Sequence, residues 1–220
     1  MSGFDPRIVP PARLVIVKAV QERTPCRLGG GAALAGIHLK HRLSRDLDLF
    51  FDDLEGLRDC VRDVSEIARV TGTPLTIARD ARSHVRINAS DASGAFEIDL
   101  VHEAVRPIEP PAKEGDVIVE SYVDLRASKV ACLVERSEPR DLVDVMFLER
   151  AGFRVEDELP FAIRKDAGVD PGVLAWLLRD FPTAPEPVML SPLAAGELGR
   201  YRDALAERLR SYVTDAKHRG

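Results

Sequence analysis

Long apolar runs are missing from this 220-residue chain. Stretches such as Leu14 to Val17 fall far short of the ~20 residues that span a bilayer. The N-terminus, MSGFDPRIVPP, lacks the charged-then-apolar pattern of a secretory leader. The expectation is a cytoplasmic protein without a membrane partner. Cysteine is scarce, with only Cys26, Cys60 and Cys132. Their odd number and the lack of CxxC or Cys/His spacing argue against a disulfide framework or a zinc site, and leave them as small buried hydrophobes. A surplus of positive charge is lacking as well. Thirty-one Lys and Arg against 36 Asp and Glu give a net charge of −5, which excludes a globally basic nucleic-acid binder. Lysine is rare, 6 against 25 arginines. Arginine suits bidentate contacts with phosphate, although GC-rich coding enriches it too. Local clusters carry more information than the total. His38, Lys40, His41, Arg42 and Arg45 form one, and Arg79, Arg82, His84 and Arg86 form a second.

What is present is an ordinary globular composition, 45% hydrophobic and 30% charged, long enough for one large domain or two small ones. Apolar spacing predicts a helix over Pro10 to Arg23, a short strand over Cys26 to Leu28 and a helix over Ala32 to Lys40. Asp46 to Phe51 alternates as a strand, and Asp52/Asp53 suits the cap of a helix over Leu54 to Val70. Gly72 and Pro74 end that helix. Leu75 to Arg79, Val85 to Ala89 and Ala95 to His102 read as three strands. RPIEPPAKEG, Arg106 to Gly115, reads as a proline-rich linker. Beyond it Ser121 and Asp124 have capping-box spacing, and helices follow over Leu125 to Glu135 and Arg140 to Ala151. Asp170-Pro171 and Ser191-Pro192 look like helix starts with proline in the first turn, the second opening a final helix over Leu193 to Ala216. The expected architecture is an α/β (α+β) domain over residues 1–110, followed by a helical C-terminal domain over 111–220.

The chemistry concentrates in RLGGGAALAGIHLKHRLSRDLDLFF, Arg27 to Phe51. Gly29, Gly30 and Gly31 follow a strand and precede a helix. Bare backbone lets N–H groups approach phosphate, and a helix N-terminus adds a favourable dipole. The run is neither a Walker A loop nor a GxGxxG dinucleotide loop. Asp46 and Asp48 project to one face of their strand while Leu47 and Leu49 face the other. Two like charges side by side are costly to bury unless a cation compensates them, and a carboxylate pair on one strand face can hold a divalent metal. A solvated strand face is the plain alternative, and the glycine run tips the balance toward metal. Nucleotidyl transfer commonly uses paired Mg²⁺ ions and roughly three carboxylates. In AFEIDLV, Asp99 and Glu97 share a face. Asp99 is preferred as the third carboxylate because it is centred in the more apolar run.

A second constellation lies in KVACLVERSEPRDLVDVMFL, residues 129 to 148. Lys129 and Arg136 share a helix face, and so do Asp141 and Asp144 on the next helix. On spacing alone, an ordinary helical hairpin with surface ion pairs such as Arg140 with Asp144 accounts for it as well.

Together these segments resemble the AbiEii/AbiGii-type, MenT-like nucleotidyltransferase toxins of the DNA polymerase β-like superfamily. GGGAALAGIHLKHRLSRDLDLF is similar to the family's glycine–DxD motif. Lys129, Arg136, Arg140, Asp141 and Asp144 match its K-x6-R-x3-RD-x2-D signature. The resemblance covers about residues 25 to 150, in order. The last 70 residues carry no matching motif. It implies a minimal nucleotidyltransferase mixed sheet flanked by helices, with a helical C-terminal domain contributing Lys129 and Asp144. It implies Asp46 and Asp48 as Mg²⁺ (or Mn²⁺) ligands, beside which the strand pattern offers Asp99 or Glu97 as the third, Asp99 being preferred. It implies Lys129 as a phosphate-contacting cation. Asp144 either orients Lys129 or assists the nucleophile. Gly30, Gly31, Ala32, Arg42, Ser44, Lys129 and Arg136 are the candidate nucleotide contacts. The family usually has Thr or Ser where this chain has Ala32, so a hydroxyl expected on the triphosphate is missing.

The activity implied is Mg²⁺-dependent transfer of NMP from an NTP to RNA, with the tRNA 3′ acceptor end as the expected target and an antitoxin protein as the expected partner. The base candidates are Asp99 and Asp144, and His38 to Arg45 would guide the RNA backbone. Two alternatives stand beside it. One is nucleotidylation of a protein or small molecule, which the net charge fits no worse. The other is a non-catalytic nucleotidyltransferase-like binding module, motivated by Ala32.

Overall fold

The computed structural model describes residues 3–219. One compact unit ends at Tyr122 and a second begins at Val123. The first holds a seven-stranded sheet in the order β3-β4-β5-β2-β1-β7-β6. Its strands are β1 (Arg27–Gly29), β2 (Asp46–Phe51), β3 (Leu75–Asp80), β4 (His84–Asp91), β5 (Gly94–His102), β6 (Ala112–Glu114) and β7 (Val117–Val119). The sheet is mixed. β2 pairs with β5 and β1 with β7 in parallel, and the other neighbours are antiparallel.

Alternation decides which face is covered. Leu47, Leu49, Phe51, Val85, Ile87, Ile98 and Leu100 are buried. Asp46, Asp48, Glu97 and Asp99 fall on the opposite face by the two-residue period of the strands. Two helices supply apolar cover, α1 (Pro11–Gln21) and α3 (Leu54–Thr71). The buried stripe of α3 is Leu57, Cys60, Val64 and Ile67, at the spacing of one helix face. Asp53 caps α3 by accepting a 2.6 Å hydrogen bond from the Gly56 N–H. A short helix, α2 (Gly30–Ala33), runs straight into a π-helix, Leu34–Leu39, which stops at Lys40 with a left-handed φ of 51°. Burial pushes the Cys60 and Cys132 thiols up to about 12, so both stay protonated and act as packing groups.

The segment read as a linker differs in part. Its end, Ala112–Glu114, is β6, and the following Val117–Val119 is β7, which lies parallel to β1. The sheet-bearing unit therefore extends past the expected boundary at 110. Proline density marked an irregular stretch correctly at Arg106 to Pro111 but hid the hairpin behind it.

The second unit is helical, with α4 (Tyr122–Glu135) entering it, then α5 (Pro139–Arg150), α6 (Val155–Lys165), α7 (Pro171–Leu177) and α8 (Glu197–Arg219). Asp170 caps α7 through the N–H groups of Gly172 and Val173, as its Asp-Pro pair predicts. Ser191-Pro192 does not open a helix, because α8 starts only at Glu197. Asp124, expected to serve a capping box, is buried and pairs with Lys165 of α6 at 2.8 Å.

A buried ionic knot ties α4 to α5. Lys129 Nζ lies 2.9 Å from Asp141 Oδ1 and 2.8 Å from Asp144 Oδ2. Arg136 Nε donates to Asp141 Oδ2 at 2.9 Å. Only 4% of the Lys129 side chain and none of either aspartate's is exposed. Asp144, a surface partner for Arg140 in the plain reading of the spacing, is fully buried instead, and Arg140 lies 2.5 Å from Glu138. Removing one partner of a buried pair strands the other charge. Asp141→Ala is therefore expected to destabilise the protein by about 3–5 kcal/mol. Arg62→Ala, which breaks an exposed pair with Asp59 on α3, should cost about 1 kcal/mol or less. Urea unfolding of both variants checks the contrast, and equal losses would refute it.

Candidate active site

The glycine run makes a corner at which β1 ends and α2 begins, and each bare Cα has a polar side chain pressed against it. A Cβ on Gly29 would run into the Glu120 carboxylate. A Cβ on Gly30 would run into the Asp48 carboxylate, and Gly30 also has a φ of +59°. A Cβ on Gly31 would sit 2.9 Å from both Arg42 Nη2 and Ser44 Oγ. The absence of side chains is what lets a carboxylate, a guanidinium and a hydroxyl converge on one loop. Ala32 is buried in the core. The hydroxyl beside this loop is therefore that of Ser44.

Strand register carries the arrangement across the sheet. Gly29 pairs with Asp48, Asp48 with Asp99, and Asp99 with Arg86. Asp46 pairs with Glu97 in the neighbouring row. The sheet thus brings Asp46, Asp48, Asp99 and Glu97 to one face, as the spacing predicted. It also brings a cation the sequence did not assign. Arg86 donates to Asp99 through Nε at 2.9 Å and Nη2 at 3.1 Å, and His84 Nε2 lies 2.7 Å from Asp99 Oδ1. Arg86 also lies 3.1 Å from Glu97. Burial would raise the Asp99 carboxyl, but the hydrogen bonds and charges of Arg86 and His84 outweigh it and hold the group below its ordinary value.

At the other end of β1, buried Arg27 pairs with Asp52 and Glu103, and its Nε lies 3.8 Å from Glu120. Burial would discharge this guanidinium, and the fields of Glu103, Glu120 and Asp52 outweigh that and keep it charged. Glu120 is thereby anchored on one side by Arg27 while its carboxylate fills the space beside Gly29.

In the helical unit, Lys129, Arg136, Asp141 and Asp144 come together as described. Burial would raise the Asp141 carboxyl, and Lys129 and Arg136 overcome this and lower it. With a carboxylate 2.8 Å from the Lys129 ammonium, Asp144 is placed to orient that cation.

Asp46 and Asp48 fit a divalent ion by donor type. They are hard carboxylate oxygens on one face, in a setting where a cation relieves like-charge repulsion. Asp99 is already engaged by Arg86. Among the described residues no three His, Cys, Asp or Glu side chains are grouped so that they could hold a metal ion. Sequence reasoning missed Glu120 and the partnership of Arg86 and His84 with Asp99. The apolar, β-branched Val117–Val119 run just before Glu120 was the available signal for the first. The turn-rich Ser90 to Gly94 between two strands was the available signal for the second, since a hairpin there sets Arg86 opposite Asp99.

A protein-family model described as "Nucleotidyl transferase AbiEii toxin, Type IV TA system" matches residues 14–218. No curated protein matches the chain. Among solved structures, MenT4, a nucleotidyltransferase toxin from Mycobacterium tuberculosis H37Rv, is similar with a TM-score of 0.59 at 18% identity, over 90% of this chain and 84% of that one. JHP933 from Helicobacter pylori is similar with a TM-score of 0.55 at 16% identity, over 94% and 92% of the two chains. At such identities the likeness is one of fold, here a mixed α/β sheet with helices.

Two outcomes follow from the geometry. Gly72 also has a positive φ, of +66°, but nothing lies within 4 Å of its Cβ position. Gly72→Ala should therefore cost only the backbone term of about 1–2 kcal/mol. Gly30→Ala should cost more, measured by urea unfolding. Equal costs would refute the collision with Asp48. The depressed Asp99 carboxyl contributes stability that is fully present above its unfolded value of about pH 4 and is lost as pH falls through the lower folded value. Asp99→Asn should flatten the acid limb of the stability profile, and an unchanged limb would count against the Arg86 pairing.

Proposed function

The chain belongs to the AbiEii family of nucleotidyl transferase toxins, and from that premise we propose that it transfers a nucleoside monophosphate from an NTP to the 3′ acceptor end of tRNA and so blocks translation. The single observation that carries this reading is the convergence of Asp48, Arg42 and Ser44 on the bare Gly30–Gly31 backbone. A loop with a carboxylate on one side and a guanidinium and hydroxyl on the other suits a cation-bound polyphosphate. Membership in a type IV toxin–antitoxin family also implies a cognate antitoxin.

In this proposal Asp46 and Asp48 would hold Mg²⁺ or Mn²⁺, and Asp99 would join them as a third carboxylate only on release from Arg86. When bound, the ion neutralises charge that develops on the phosphates. The Gly30 and Gly31 backbone, Arg42 and Ser44 orient the triphosphate. Ser44 fills the role left vacant by Ala32. In the helical unit the ion pair of Lys129 with Asp144 favours the orienting role for that carboxylate. The acceptor hydroxyl oxygen bonds to the α-phosphorus, the bond to pyrophosphate breaks, and the hydroxyl proton leaves to a carboxylate. Asp99, held ionised by Arg86, is a proton acceptor of low basicity. Arg86 therefore tunes both of the roles assigned to Asp99.

Incubation with each labelled NTP, Mg²⁺ and total tRNA tests the reading. Label should enter tRNA, and Asp46→Ala or Asp48→Ala should reduce incorporation to background and abolish growth inhibition. Full toxicity in either variant would overturn the catalytic roles. Label appearing only on protein or a small molecule would overturn the tRNA acceptor.

A further inference from the structure

The fold treats the two basic clusters of the sequence differently. The first, His38 to Arg45, has His41 and Arg42 buried, which takes both away from solvent. The second lies on an open part of the sheet. Strand pairing sets Arg79 opposite Arg86, Arg86 opposite Asp99, Asp99 opposite Asp48 and Asp48 opposite Gly29. One row therefore crosses the sheet from its outer strand to the glycine corner. Neighbouring strands lie about 4.8 Å apart, which puts the backbone of Arg79 about 14 Å from that of Asp48. The same face of hairpin β3–β4 carries Thr76, His84, Asn88 and Ser90 and no carboxylate. The acids of the hairpin belong to the other face. Asp80 stands opposite buried Val85 and pairs with Arg58, and Asp91 pairs with Arg13 at 2.8 Å. The end of the hairpin is held from two sides. Arg58 of α3 donates to the carbonyls of Ala81 and Arg82, and the His102 N–H donates to the Ser83 carbonyl at 2.8 Å.

Packing does not account for the two outer arginines. Arg79 and Arg82 are exposed and have no ion pair among the described residues. Like charges directly opposite each other weaken a sheet, and Arg86 is already taken by Asp99 and Glu97. A carboxylate at position 79 would guard the edge strand equally well and would face Arg86 with the favourable sign. An arginine there leaves a cation without a counter-charge. We propose that the open face of hairpin β3–β4 is the docking surface for the acceptor RNA, with phosphates of its backbone on Arg79 and Arg82. This deepens the proposed function and rests on it for the identity of the acceptor. Guanidinium forks match phosphate oxygens in pairs, and Thr76 and Asn88, both exposed, offer uncharged hydrogen-bonding groups to sugar and phosphate. The row changes sign along its length. It is cationic at the edge, where the phosphate chain lies, and anionic at Asp99 and Asp48, toward which the end of the strand is led.

Fluorescence anisotropy of labelled tRNA over a range of salt concentrations tests this, beside calorimetry with Mg²⁺ and an NTP. Arg79→Ala and Arg82→Ala should each raise the dissociation constant for tRNA several-fold. Each should also make the slope of log affinity against log salt shallower by about one. Arg79→Lys should keep the slope, because it keeps the charge. NTP binding should stay unchanged in these variants, since three strand spacings separate Arg79 from Asp48. Arg62→Ala removes an equal charge from α3, on the apolar side of the sheet, and should leave the slope as it is. The proposal is overturned if either alanine variant leaves tRNA affinity and slope unmoved, or if Arg62→Ala moves them as far, which would report net charge alone. Unmoved tRNA binding together with lost affinity for poly-glutamate would give the patch to an acidic protein and overturn the proposal as well. Labelling of tRNA with both slopes unmoved would overturn the docking surface and leave the reaction standing. A wild-type protein that binds tRNA through these arginines yet transfers no nucleotide would refute the proposed reaction and leave the docking surface standing.

Discussion

The exposed chemistry of the first unit depends on one constraint, a stretch of main chain with no side chains. Gly29, Gly30 and Gly31 leave three adjacent positions open, and Glu120, Asp48, and Arg42 with Ser44 occupy them in turn. Any Cβ in this run would push a charged or hydroxyl-bearing group out of place. The strand ladder then spreads the constraint sideways, because Gly29 sets the register of Asp48, and Asp48 that of Asp99. One turn of backbone therefore determines where four carboxylates of the sheet can sit.

The charges on this face are handled by compensation. Arg86 and His84 take Asp99, and Arg27 takes Asp52 and Glu103 with Glu120 close by. Unrelieved carboxylates packed side by side on a sheet would oppose folding. The helical unit solves the same problem in its own way, surrounding one buried lysine with two aspartates and anchoring one of them, Asp141, to Arg136. Buried ionic groups of this kind contribute less to net stability than apolar packing would. Their value is that they allow only one arrangement of α4 against α5.

Legibility varied with how local the cause was. Strand β2 was read to the residue because Asp46 to Phe51 alternates without interruption. The caps at Asp53 and Asp170 followed from side-chain chemistry within one turn. Ser191-Pro192 shows the limit of that reasoning, since a cap signal acts only if the following residues find a surface to pack on, and here the helix waits until Glu197. Hairpin β6–β7 was hidden because each strand has only three residues and gains its stability from the edge of β1. The pairing of Lys129 with Asp144 was one of the two roles that the family resemblance implied for Asp144, and helical spacing alone did not single it out. The capture of Asp141 by both Lys129 and Arg136 required the turn between α4 and α5.

The sequence by itself determined the local grammar of this protein: the glycine corner, the alternating aspartates, the helical hairpin with its charges, and through these motifs the family. All of these are patterns within a few residues, where backbone geometry and side-chain period leave little freedom. Tertiary structure alone decided which distant groups meet them. Glu120 reaches Gly29 from 91 positions away, and Tyr122 lies on His38 because the chain returns beside β1. Such contacts depend on strand order and register, which are set by the packing of the whole sheet rather than by any segment of it.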